Sequence, residues 1–325
     1  MATSAAVSAP PPSGARAWFQ RLRSGDEVAR LITLAFASII LLVTAALIYQ
    51  LWSTSGLPRH KFGFAFLTSK LWNPVTGQFG ALPFIYGTVI TSVIALLVAV
   101  PLGVGAAIFL SELAPPRISG AFTFFIELLA AVPSVIYGLL AIFTLVPLMR
   151  DYVEPFLKKT LGFLPIFSGP IYGFGYLTAA VILAIMVLPF IISISREALM
   201  EVPTEQREAA LALGATRWES TWQAVVPWAR LGIFGSVFLG LARALGETMA
   251  VTMVIGNDPS IHASLFAPGY TIAAIVANEY SEATGDLYLQ SLVALGLVLF
   301  LLTIVINALA RLLIIATTRR GSAQS

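Results

Sequence analysis

Charge and cysteine are what this sequence is short of. Only 11% of its 325 residues are Asp, Glu, Lys or Arg, against about 25% in a typical soluble domain. Nineteen basic and 16 acidic side chains cannot wet the surface of a 34.7 kDa globule. Cysteine is absent, which excludes disulfides, thiolate metal sites and a cysteine nucleophile. The two histidines, His60 and His262, are too far apart in the chain for a His-x-x-x-His pair, so no metal site is expected. There is no G-x-x-x-x-G-K-[ST] run, so the chain is not expected to hold ATP itself, and no G-x-S-x-G or H-E-x-x-H run. Neither a nucleophile nor a metal constellation remains to support a membrane-embedded enzyme or sensor. The net charge of +3 comes from basic residues scattered in short segments, not gathered on a stripe that would suit nucleic acid.

Apolar residues, at 58%, are what is abundant. The solvent for most of this surface is therefore lipid. Six apolar runs, near 31–52, 82–111, 119–149, 173–195, 231–255 and 287–310, are long enough to span, since the hydrocarbon core takes about 20 helical residues at 1.5 Å each. They are apolar on every face, without the alternation of a barrel strand. The reading is an all-α integral membrane protein with six transmembrane helices. The third run is over-long and contains Pro133 and Pro147, so a kink or early stop is expected there.

The first 15 residues are Ala/Ser/Pro-rich and uncharged, and they read with the rest of 1–25 as a disordered cytoplasmic tail. The first apolar run is longer than a usual signal-peptide core, so a span and not a leader is expected there. Residues 26–81 then hold the first span and an aromatic loop, 53–81, whose Trp and Phe residues suit the membrane interface. Residues 82–317 form the main transmembrane domain, and 318–325 a short tail. With the N-terminus inside, the inner segments hold twelve Lys/Arg and the outer loops six, which favours both termini in the cytoplasm. The last outer loop, 256–286, has no Lys or Arg but carries Asp258, Glu279, Glu282 and Asp286.

The most polar stretch is 196–230, cytoplasmic in this topology. Thr204 can N-cap a helix that has Glu205 and Glu208 in its first turns and Ala209, Ala210, Leu211 and Leu213 beyond. Gly214 breaks it as a left-handed cap. A second short helix, Thr216 to Val225, is expected to stop at Pro227. Two short helices meeting at a glycine could dock a partner or simply lie on the membrane.

Span 231–255 carries Arg243 at its midpoint, 12 residues from either end, which is about 18 Å of helix each way. That is too deep to snorkel, and insertion scales put the cost at about 2.5–3.5 kcal/mol. Glu247 follows at i+4 on the same helical face. The pair is either a structural tie between helices or part of a wet passage. Weaker candidates for such a passage are Thr248, Asn257, Glu127 in the third run, and Ser134 and Tyr137 beside Pro133. Ser236, Gly240 and Ala244 form a small-residue stripe that reads as a helix-packing face.

Glu208-Ala209-Ala210, Gly214 four residues on, and Pro227 closing the segment resemble the EAA loop of ABC-transporter permeases, with Ala224 and Val226 where Ile and Leu are common. The runs WNPVTGQFGALPFIYGT (72–88), PLGVGAAIFLSELAP (101–115), ELLAAVPSVIYGLLAIF (127–143) and RALGETMAVTMVIGN (243–257) extend the likeness from about Asp26 onward. They resemble the permease subunits of bacterial phosphate importers. The resemblance implies the type I ABC importer permease fold (MetI-like). It also implies an inner-membrane location, a coupling helix in a cleft of an ATPase dimer that holds ATP and Mg, a sister permease and a periplasmic phosphate-binding protein. For that substrate Arg243 offers a planar fork to two oxygens. Glu247 can accept the proton that phosphate keeps at neutral pH, and it limits how tightly the anion is held. Another oxyanion such as sulfate or molybdate, and a secondary transporter driven by an ion gradient, are the alternatives.

Overall fold

The computed structural model describes residues 26–322, with side chains from Val28 to Leu312. The tail expected over 1–25 lies outside the described residues. Among those described, six helices are long and apolar enough to cross a membrane. They are α1 (Asp26–Thr54), α2 (Leu82–Leu113), α4 (Ser134–Leu161), α5 (Tyr176–Met200), α7 (Arg217–Gly246) and α10 (Asp286–Ser322). Between them run α3 (Pro116–Ala131), α6 (Thr204–Ala212), α8 (Met249–Thr252) and α9 (Ile272–Glu279). The segment expected as a tail from 318 continues α10 as helix to Ser322. The chain divides between Ser53 and Thr54, so α1 is a unit by itself and the remainder is the second.

Pro133, Pro147, Pro155 and Pro227 behave in two ways. Val132, before Pro133, is extended (ψ 129), as the ring of a following proline favours. The apolar run 119–149 is therefore two helices, α3 and α4, and the spanning one begins at Ser134 and runs on to Leu161. Pro147, Pro155 and Pro227 do not break their helices. In each case one wider turn, 141–145, 149–153 or 221–225, directly precedes the proline pair. The residue before each proline donates its N–H five residues back: Val146 to Ala141, Glu154 to Met149, Val226 to Thr221. A proline has no N–H to give and its ring crowds the carbonyl one turn earlier. The π turn moves that carbonyl aside. Pro227 therefore sits inside α7 instead of ending a short helix at Val225.

The centre of the second unit is α5. Two-thirds of its most apolar window is buried, against a third or less in the other spans of this unit. The small-residue stripe of α7 lies against it. Ser236 and Ser195 share a buried hydroxyl hydrogen bond of 2.7 Å, and a Cβ on Gly240 would fall 2.9 Å from Val187. Part of the aromatic loop is packed: Phe66 and Phe79 are buried, while Phe64 and Val75 stay exposed. Trp72 packs edge-on against Phe79 and Phe84 and donates to Glu279 at 2.9 Å. Residues 256–271 turn back over the start of α5, where the Ala267 and Leu265 carbonyls accept from Tyr176 and Leu177. Those N–H groups would otherwise be the unpaired donors of a helix start.

Candidate functional site at two helix breaks

The apolar run 231–255 is not one helix. α7 stops at Gly246, Glu247 is extended (ψ 127), and the chain restarts as α8 at Met249. Arg243 is thus in the last turn of a span, not at the midpoint of a continuous helix. The i+4 adjacency with Glu247 is lost, and among the described residues no ion pair joins them. The guanidinium instead stacks on Phe190 of α5, 4.2 Å from the ring centroid, a favourable cation–π arrangement. Its Nε is buried and has no hydrogen-bond acceptor.

Glu247 Oε1 accepts from the Ala250 N–H at 3.4 Å, and the Thr248 hydroxyl donates to the Gly246 carbonyl at 3.3 Å. Glu247 thereby serves the restart of the helix and Thr248 the end of α7. The second break, at Val132–Pro133, is brought to the first by the packing of α8 on α4. A Cβ on Gly138 would sit 2.5 Å from Met253 Sδ and 3.2 Å from Ala250 Cα, so glycine lets the two helices approach closely. Tyr137 is buried on the same turn and within electrostatic reach of Arg243. Its hydroxyl donates to the Leu129 carbonyl at 2.7 Å, an oxygen near the end of α3 that also accepts from the Val132 N–H at 3.3 Å.

Other candidates sit apart. Ser134 opens α4, half-buried. Asn257 takes a left-handed conformation (φ 55), and its amide donates to the Thr252 carbonyl at 3.1 Å, closing α8. Glu127 is on the exposed side of α3 and shares no hydrogen bond or ion pair with the other site residues.

In the polar segment, Thr204 is the first helical residue of α6 and Pro203 occupies the cap position without a side-chain bond. Glu208 and Ala209 are exposed and Ala210 half-buried. Gly214 is left-handed (φ 90), and Ala215 donates back to Ala210 at 3.2 Å. Thr216 and Glu219 then form a capping box that starts α7. Two features had no counterpart in the sequence reading. One is Phe190, an ordinary residue of an apolar run. The other is a bidentate pair between Arg207 and Glu112, 95 positions apart.

Six spanning candidates, a broken span with a cation at its break and an exposed two-helix polar segment define a multi-pass membrane transport subunit. Residues 99–317 match the family model described as the binding-protein-dependent transport system inner membrane component, and the chain belongs to that family. It is 48% identical to the phosphate transport system permease protein PstC of Mesorhizobium japonicum, over 94% of each chain. The protein of that name from Xylella fastidiosa is 46% identical over 89% of this chain and 90% of its own. The probable one from Methanocaldococcus jannaschii is 37% identical over 88% and 92%. The crystal structure of a bacterial ABC transporter involved in importing the acidic polysaccharide alginate covers 94% of this chain and 99% of its own, with TM-score 0.58 and 17% identity. The fold is thus that of an ABC importer permease, as expected from the sequence.

Proposed function

We propose that this chain is the permease subunit of an ATP-driven importer that carries inorganic phosphate across the bacterial inner membrane. The observation that carries the reading is the Arg243 guanidinium, seated over the Phe190 ring at a break in a span and paired with no carboxylate among the described residues. An unpaired cation in a span costs about 2.5–3.5 kcal/mol on insertion scales, and an oxyanion beside it would offset that cost. The names of the relatives select phosphate among the oxyanions.

In this reading Arg243 grips two oxygens of the anion and Glu247 accepts its remaining proton. The Thr248 hydroxyl becomes a further donor by turning from the Gly246 carbonyl to the anion. By itself the chain is not an enzyme. A PstB-like ATPase dimer binds ATP and Mg and receives α6, with Glu208, Ala209, Ala210 and Gly214 at the contact and Pro227 carried in the span behind it. A PstA-like sister permease completes the passage, and a PstS-like periplasmic protein delivers phosphate. Both termini face the cytoplasm.

Reconstitution of the four components in proteoliposomes tests this. Labelled phosphate should enter with ATP, unaffected by an uncoupler or by excess sulfate or molybdate. Loss of uptake on uncoupling would point to an ion-gradient carrier instead, and competition by sulfate or molybdate to another oxyanion. A second expected outcome concerns release. Two unit charges 4 Å apart repel by about 4 kcal/mol even at an effective dielectric of 20, so Glu247→Gln holds the anion tighter. The maximal uptake rate should fall about tenfold, since a conduit must let go. An unchanged initial rate would remove Glu247 from the passage.

A further inference from the structure

Glu112 lies in the wide turn that ends α2, in a part of the sequence with no assigned role. Its carboxylate is enclosed, with the side chain only 9% exposed. Both oxygens are taken by one guanidinium: Arg207 Nε donates to Oε2 at 3.1 Å and Nη2 to Oε1 at 2.9 Å. Arg207 is on α6, the polar helix that carries Glu208, Ala209 and Ala210.

The same guanidinium does more than pair. Nη2 also donates to the Leu199 carbonyl at 2.8 Å, and Nη1 to the Val202 carbonyl. These carbonyls belong to the end of α5 and the turn beyond it, and the Leu199 carbonyl also accepts from the Val202 N–H at 3.4 Å. One side chain of α6 is therefore fastened to the ends of two spans. A cavity of about 220 Å³ beside it is lined by Glu112, Arg207, Leu211, Arg217, Ser220 and Thr221, so the first turns of α7 meet at the same point.

Covalently, α6 is joined only to α5 and α7. Without Arg207 a displacement of α6 would reach α2 only indirectly, through α5 or α7. With it, α6 pulls directly on α2, and α2 packs tightly on α5 higher up, where a Cβ on Gly103 would fall 2.8 Å from Ile191. Ile191 follows Phe190, the residue on which Arg243 rests. Arg is suited to the task because its five donors lie in one rigid plane and satisfy a carboxylate and two carbonyls together. Lysine, a point charge on a flexible stem, cannot hold that geometry.

We infer that the Glu112–Arg207 pair is a positioning strut that makes movement of α6 move α2 and α5 as one body, so that ATP hydrolysis on the partner is converted into opening of the passage. The inference rests on the reading of α6 as the coupling helix of a phosphate importer.

The test uses the complete complex in proteoliposomes and reads phosphate imported per ATP hydrolysed. Glu112→Gln keeps the shape and removes the charge, and Arg207→Lys keeps the charge and removes the fork. Each should lower the ratio roughly tenfold, within the usual span of coupling free energies. The double variant should lose no more than the worse single one, because both remove the same interaction. A ratio equal to wild type, even with both rates reduced together, would show a merely structural contact and overturn the strut. Additive losses in the double variant would overturn the pair as a unit. The wild-type complex run alongside separates the two readings. If it hydrolyses ATP and imports no phosphate, the phosphate reading fails and takes the strut with it. If it imports normally and the variants keep its ratio, the strut alone fails.

Discussion

Arg243→Ala should abolish phosphate uptake while leaving the complex assembled. Each charge-assisted hydrogen bond from a guanidinium contributes about 1.5–3 kcal/mol, so losing a two-oxygen grip costs at least about a hundredfold in rate. The substitution also opens a hole above Phe190, which lies 4.2 Å from the guanidinium carbon. Arg243→Met refills that hole with an apolar chain of similar length and separates the two effects. If packing alone mattered, Met would restore uptake. If the donors matter, Met is as inactive as Ala. Arg243→Lys should retain a small residual rate, since an ammonium attracts the anion without the planar match. Labelled-phosphate uptake and co-purification of the four subunits, measured on the same preparations, decide it. Normal uptake with alanine would end the assignment.

The spans were legible because hydropathy and length are properties of the sequence alone. The break at Pro133 was legible for the same local reason, as a proline constrains the residue before it. Pro227 misled because its effect is absorbed by a neighbouring turn of different hydrogen bonding, which composition does not reveal. The break after Gly246 was hidden inside a continuous apolar run. What ends α7 there is tertiary: α8 turns aside to seat on Gly138, more than a hundred residues earlier in the chain. Arg243 stood out because a cation in a span is costly wherever it sits. Its partner did not, since Phe190 gains its role only from the packing of α5 on α7. The i+4 rule that joined Arg243 to Glu247 assumed a helix that the structure interrupts. Glu112 and Arg207 illustrate the same limit, because a pair 95 residues apart has no local signature.

Gly87→Ala should destabilise the protein severely, although it adds a single methyl group. A Cβ at Gly87 of α2 would lie 2.1 Å from the Tyr270 carbonyl oxygen and 2.9 Å from its carbon. Both are backbone atoms and cannot rotate away. The neighbouring Thr88 hydroxyl accepts from the Ile272 N–H at 3.0 Å, so the clash also pulls this bond apart. The displaced stretch is the one whose Ala267 and Leu265 carbonyls satisfy the first donors of α5. Overpacking and the orphaned buried groups together cost about 2–4 kcal/mol. A fall in Tm of the purified complex on the order of 5–10 °C is expected. Gly235→Ala is the matched control, because a Cβ there meets nothing within 4 Å and alanine favours a helix over glycine by about 0.5–1 kcal/mol. Its Tm should be unchanged or slightly higher. Equal shifts in the two variants would mean that the 256–271 segment is not seated on α2, and the support it lends to α5 and to the stacked Arg243 would have to come from elsewhere.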